Sequence, residues 1–99
     1  ARHVGVVRTM IGIGDTELRR GRLEAALERY DDARRRAAEA ELSEELARSL
    51  LGLARTHWQL GSAQQARARH REARALVSRI DAPDPTLVQA LAEELDGAP

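Results

Sequence analysis

Few residues in this chain stand where catalysis could use them. The three imidazoles, His3, His57 and His70, fall at no metal-ligand spacing such as the paired histidines of a zinc helix. Glu24, Glu28, Asp31 and Asp32 are plentiful carboxylates. They read as a solvated helix face, without the matched acid and base that proton transfer needs. No cysteine is present, so there is no thiolate nucleophile, no thiolate metal site and no disulfide framework. No glycine-rich phosphate loop follows a strand, because no strand signal occurs. These residues point away from an enzyme, and neither a cofactor nor a metal is expected.

The remaining chemistry is recognition. At helical spacing Arg8, Gly12, Asp15 and Arg19 share one stripe, with Ile11 and Leu18 beside it. Arg48, Gly52, Arg55 and Gln59 repeat that stripe 40 positions later (Arg8 to Arg48), flanked by Leu51 and Trp58. Guanidinium forks next to an indole suit peptide binding, since Trp and Arg are over-represented among binding hot spots. The plainer alternative makes Arg8, Arg48 and Asp15 a solubilising face, with Asp15 paired to Arg55 across adjacent helices. Trp58 reads more readily as a core filler between the third and fifth helices than as a ligand platform, because one large side chain must compensate for many alanines. Gly12 and Gly52 each cost about 1 kcal/mol inside a helix relative to Ala. Their recurrence predicts close helix contact at both. Arg67, Arg69, Arg71, Arg74 and Arg79, with His70, form the one basic run. It could meet phosphates through counterion release. Glu72 interrupts it, however, and stacking aromatics are missing, so a solvated face or a dock for the acidic part of a neighbour is the preferred reading.

The elements that must position these residues come from a repeat. Val7 to Arg34 reads VRTMIGIGDTELRRGRLEAALERYDDAR, and Ala47 to Arg74 reads ARSLLGLARTHWQLGSAQQARARHREAR. Arg8, Gly12, Thr16, Gly21, Ala26, Arg29, Ala33 and Arg34 recur identically at the shifted positions. Such a period indicates stacked helical hairpins. Apolar residues at three- and four-residue steps (Val4, Val7, Met10, Ile11, Gly14, Leu18) predict a first helix over residues 1–20, closed by Gly21. A second helix runs from about Arg22 toward Glu41, and the next bend falls at Glu41 to Ser43 with Ser43 able to cap. The third spans Glu44 to Leu60 and ends at Gly61. Ser62 and Gln65 then stand at capping-box spacing for the fourth. Asp81-Ala82-Pro83 breaks that helix, and Asp84-Pro85 caps and starts a fifth, which Gly97-Ala98-Pro99 stops.

This pattern resembles the tetratricopeptide repeat. Met10, Ile13 and Gly14, the turn Gly21, and Ala26, Tyr30 and Ala33 take the family's positions in the first unit. Leu50, Leu53, Ala54, Gly61, Ala66, His70 and Ala73 take them in the second. Glu17, His57 and His70 depart from positions usually aromatic, and the proline that usually closes a unit is missing after the first. The 40-residue period exceeds the usual ~34 and is similar to the extended repeats of kinesin light chains and multidomain bacterial regulators. The resemblance implies that first helices line a concave surface where peptides bind. It thereby selects Arg8, Asp15, Leu18, Arg19, Arg48, Arg55, Trp58 and Gln59 as the candidate protein- or peptide-binding residues.

The resulting expectation is an all-α stack of two antiparallel helix-turn-helix hairpins plus a C-terminal capping helix, forming a right-handed superhelix. Repeat 1 covers about 4–41, repeat 2 about 43–81 and the capping helix about 84–96. The expected function is protein–protein or peptide recognition. The alternative is a nucleic-acid-binding helical module using the Arg67–Arg79 run. Sixteen basic residues, all Arg, balance 16 acidic ones, so no global field draws in nucleic acid. No apolar run approaches the ~18 residues of a membrane span, and no signal-peptide pattern opens the chain. A soluble cytoplasmic fragment of a larger protein is therefore expected. The Arg- and Ala-rich, Lys-free composition suggests a GC-rich bacterial genome. The array with its Asp-Pro-started helix is similar to the C-terminal segment of actinobacterial transcriptional regulators. Stacked repeats bury their faces only against neighbours, so the outward side of the first helix, assigned to Val4, Val7 and Ile11, is expected to self-associate.

Overall fold

A computed structural model of the chain describes residues 2–93 and 95. Five helices follow one another: α1 (Arg2–Arg19), α2 (Leu23–Glu39), α3 (Ser43–Gln59), α4 (Ala63–Val77) and α5 (Pro85–Ala92). They form an all-α stack in which α1–α2 and α3–α4 are hairpins, and α2 also packs on α3. Among the described residues there is no strand. The end of the expected capping helix at Gly97-Ala98-Pro99 lies outside the described residues, and α5 itself stops at Ala92.

Three near-identical turns set the stack. Gly21, Glu41 and Gly61 adopt left-handed backbone, at φ 75°, 57° and 84°. At each, two amides fold back onto the preceding helix: Gly21 to Leu18 and Arg22 to Glu17, Glu41 to Ala38 and Leu42 to Ala37, Gly61 to Trp58 and Ser62 to His57. This is the Schellman arrangement, which satisfies carbonyls left unpaired at a helix end. The bend at 41–43 falls where expected, but Leu42 holds the cap position and Ser43 is already helical. The Ser62–Gln65 capping box does not form, since Ser62 makes no side-chain cap bond. Its backbone N–H, which Gln65 would have had to satisfy, already donates to the His57 carbonyl at 2.9 Å. The expected start of α5 is present. Asp84 accepts from the Thr86 amide at 2.9 Å, and Pro85 opens the helix.

Alanine brings the helices together. Ala26, Ala33, Ala37, Ala47, Ala54, Ala66 and Ala73 are all fully buried. An alanine removes little apolar area from water, so such contacts stabilise chiefly by letting backbones approach and larger neighbours interlock. One core cluster joins Val7, Ile11, Tyr30 and Leu53 across α1, α2 and α3. The other joins Leu50, Leu51, Val77, Leu87 and Leu91 across α3, α4 and α5. The repeat register carries into α5, because Val7, Ala47 and Leu87 are buried in turn, as are Ile11, Leu51 and Leu91.

That register corrects the reading of α1. Val7 is 1% exposed and Ile11 8%, so both face inward. They lie four residues apart on the row that meets α2 and α3. The apolar residues left outward on α1 are Val6, 46% exposed, and Ile13, 40% exposed.

Candidate functional site

Tyr30 is the residue around which the first half of the candidate surface is built. It is 1% exposed and lies between two glycines, Gly14 on α1 and Gly52 on α3. A Cβ on Gly14 would fall 2.8 Å from the ring, and one on Gly52 would fall 2.3 Å from it. The phenol passes through this gap and donates its hydrogen bond to the Asp15 carboxylate. Burial, and then the Asp15 carboxylate, push the phenol far above its ordinary range, while Arg55 and Arg19 act in the opposite direction. Two arginines from successive first helices therefore share an electrostatic environment with one Tyr–Asp pair.

The expected close contact holds at Gly52 and fails at Gly12, where a Cβ would meet nothing within 4 Å. The reason lies in the stacking order. Gly52 receives the tyrosine of the preceding hairpin, and no described element lies against the matching side of α1. Tyr30 itself was readable from sequence only as a repeat-core aromatic. The signal that could have singled it out is a glycine at both flanking first-helix positions, 14 and 52.

The other candidate residues divide by what engages them. Arg8 bonds the Glu45 carboxylate at 3.1 Å, with the Glu45 side chain only 8% exposed. Arg48 meets Asp84 at 2.6 Å, and Glu44 accepts the Asp84 backbone N–H at 2.8 Å. Thus Arg48 ties α5 to α3, and the Thr86 amide, followed by Arg48, holds the Asp84 carboxyl below its usual range. Leu18 packs against the first core cluster. Asp15 is occupied by Tyr30, and among the described residues no ion pair joins it to Arg55. Arg19, Arg55 and Gln59 are exposed.

Trp58 does not fill a closed core. It is half-buried, and the Arg67 guanidinium lies over its ring, 5.5 Å from the centroid. The indole forms one wall of a cleft of ≈ 270 Å³ between α4 and α5, where Arg67, Arg71 and Arg74 gather with Leu91 and Leu95. The basic run is thereby divided, since Arg69 turns to the opposite side of α4, beside Leu53 and His57. Burial and then Arg69 lower the His57 pKa. The acidic stretch of α2 neutralises itself locally, Asp31 pairing with Arg34 and Arg35, and Asp32 with Arg36. Among the described residues no group of His, Asp or Glu could hold a metal ion. None of the described helices is long and apolar enough to cross a membrane.

Comparison with known families gives one match: the family model for the tetratricopeptide repeat covers residues 2–79. No curated protein and no solved structure matches the chain.

Proposed function

We propose that this chain, which belongs to the tetratricopeptide-repeat family, recognises a protein or peptide partner on the face shared by α1 and α3. Repeats of this family are non-catalytic scaffolds that mediate protein–protein interaction. The observation that carries the reading is the Tyr30–Asp15 hydrogen bond at the surface of α1, with exposed Arg19 on α1 and exposed Arg55 on α3 acting electrostatically on the same phenol. Neither Arg19 nor Arg55 has an acidic partner among the described residues. The Arg55 fork, and that of Arg19 apart from one bond to the Thr16 hydroxyl at 3.3 Å, are therefore open to carboxylates or carbonyls of a ligand, while Tyr30 keeps Asp15 in place. Gln59 extends the same face, whereas Trp58, covered by Arg67, borders the cleft on the side of α4 and α5, and Arg8 and Arg48 flank the face while holding the stack together. We place the chain in the cytoplasm, as part of a larger bacterial regulatory protein of the actinobacterial type. The Lys-free, Arg-rich composition and the helical array support that setting.

Selection from a random-peptide display library tests the recognition reading. Wild type should enrich a peptide set, and Arg19→Glu with Arg55→Glu should lose it while retaining the helical circular-dichroism spectrum. Equal enrichment by both proteins would exclude this face.

A further inference from the structure

The two junctions between successive first helices use equivalent positions and end differently. At the first, Tyr30 occupies the space between Gly14 and Gly52. Forty residues on, the corresponding residues are His70, Ala54 and Ala92. Imidazole reaches less far than phenol, and this second junction keeps the cleft of ≈ 270 Å³. Its cationic wall is Arg67, Arg71 and Arg74, spaced by four and three residues and therefore on one face of α4. None of the three has an acidic partner among the described residues. By contrast Arg69, on the other side of the helix, pairs with Glu72 at 2.9 Å. Among the described residues Glu93 is the single acid lining the cleft. Opposite the arginines, Trp58, Leu91 and Leu95 supply an apolar wall, and the stacking of Arg67 on Trp58 steadies both side chains.

We propose that this cleft binds an acidic peptide segment of a partner protein. Carboxylates of the segment sit on Arg67, Arg71 and Arg74, and one apolar side chain enters against Trp58 and Leu91. Guanidinium forks match carboxylates in bidentate geometry, and the apolar wall selects a peptide side chain over a bare anion. Single-stranded nucleic acid fits less well. Its affinity draws on accessible aromatic faces, and here Trp58 is half-buried under Arg67 while Tyr30 is enclosed. The inference rests on the reading of the chain as a recognition scaffold, but on a different surface from the Asp15–Arg19–Arg55 group.

Trp58 is the sole tryptophan, so its emission reports directly on the cleft. The probe is an unlabelled peptide in which glutamates flank one leucine, titrated into the full chain and checked by calorimetry. A saturable change in Trp58 emission is expected, with no response to the same peptide carrying lysines for glutamates. Arg71→Gln with Arg74→Gln should weaken binding by about tenfold or more, as loss of charge-assisted contacts does. Arg29→Gln with Arg79→Gln, which removes the same charge from exposed positions outside the cleft, should leave binding unchanged, and circular dichroism verifies that both variants fold. Equal binding by wild type and the Arg71/Arg74 variant overturns the proposal, as does the absence of a saturable response. Tighter binding of a single-stranded oligonucleotide at the same ionic strength overturns it in favour of nucleic acid. If display-selected peptides bind and the acidic peptide does not, this proposal falls and the scaffold reading stands. If only the acidic peptide binds, the α1–α3 face is excluded and the cleft is retained.

Discussion

Around Tyr30 a large ring is fitted between two residues without side chains, whereas around Trp58 a similar amount of aromatic surface borders open space. In the first region Gly14 and Gly52 give up helix propensity so that a phenol can pass from core to surface and end on a carboxylate. In the second, Ala54 and Ala92 occupy the corresponding positions, His70 replaces the phenol, and the gap is edged with arginine. The same repeat therefore yields a rigid joint at one position and a charged recess at the next. The difference lies in side-chain volume at three positions, with no change in the order of elements.

The largest test of this contrast is Tyr30→Ala. Removing a fully buried aromatic should lower unfolding stability by about 3–5 kcal/mol in urea denaturation. His70→Ala, at a half-buried position, should cost clearly less. Equal losses would mean that the two junctions are packed alike. Next comes a glycine pair related by the repeat. Gly52→Ala places a Cβ 2.3 Å from a ring that is 1% exposed, and overpacking of this kind costs about 1–3 kcal/mol. The helix-propensity gain of about 1 kcal/mol is the smaller term there. Gly12→Ala meets nothing within 4 Å and should keep that gain alone, so the two melting temperatures should move in opposite directions.

The smallest effects are in pH dependence. Tyr30 is the only tyrosine, and its pKa is raised first by burial and then by Asp15. The unfolded phenol releases its proton near pH 10 while the folded one holds it. Stability from this group is thus complete below about pH 10 and declines above it. Phenolate absorbance should appear only together with unfolding. His57 works in the acid range, where burial and Arg69 lower its pKa. The unfolded chain then binds more protons between the depressed value and about 6.5, so stability falls as pH drops through that window. His57→Gln should flatten the acid limb of the urea midpoint, and an unchanged limb would show that His57 titrates as if unfolded.

Much of the architecture was legible in the residues because it depends on local rules. Gly21 and Gly61 mark turns whose left-handed backbone glycine tolerates without steric cost, and Asp84-Pro85 starts α5 as that pairing should. Local rules failed where one backbone group had two possible partners. Ser62 lost its capping box because its amide was already taken by the turn before it. Periodicity alone could not separate Val7 and Ile11 from Val6 and Ile13, since all four lie within a turn or two of one apolar helix. The candidate arginines were visible by spacing, but their partners were not. Glu45 lies 37 positions from Arg8, and Asp84 lies 36 from Arg48, distances along the chain that only the stacking of hairpins closes.

The sequence by itself determined five helices, their turns and their two-fold repetition, because hydrogen bonding within helices and turns and the alternation of apolar residues act over a few positions. Tertiary structure alone decided which arginines are held by acids and which have no acidic partner among the described residues. It also decided that Gly52 is indispensable to packing while Gly12 is not. Those outcomes depend on which neighbour each helix face meets, and a repeat presents the same face to different neighbours at its start, middle and end.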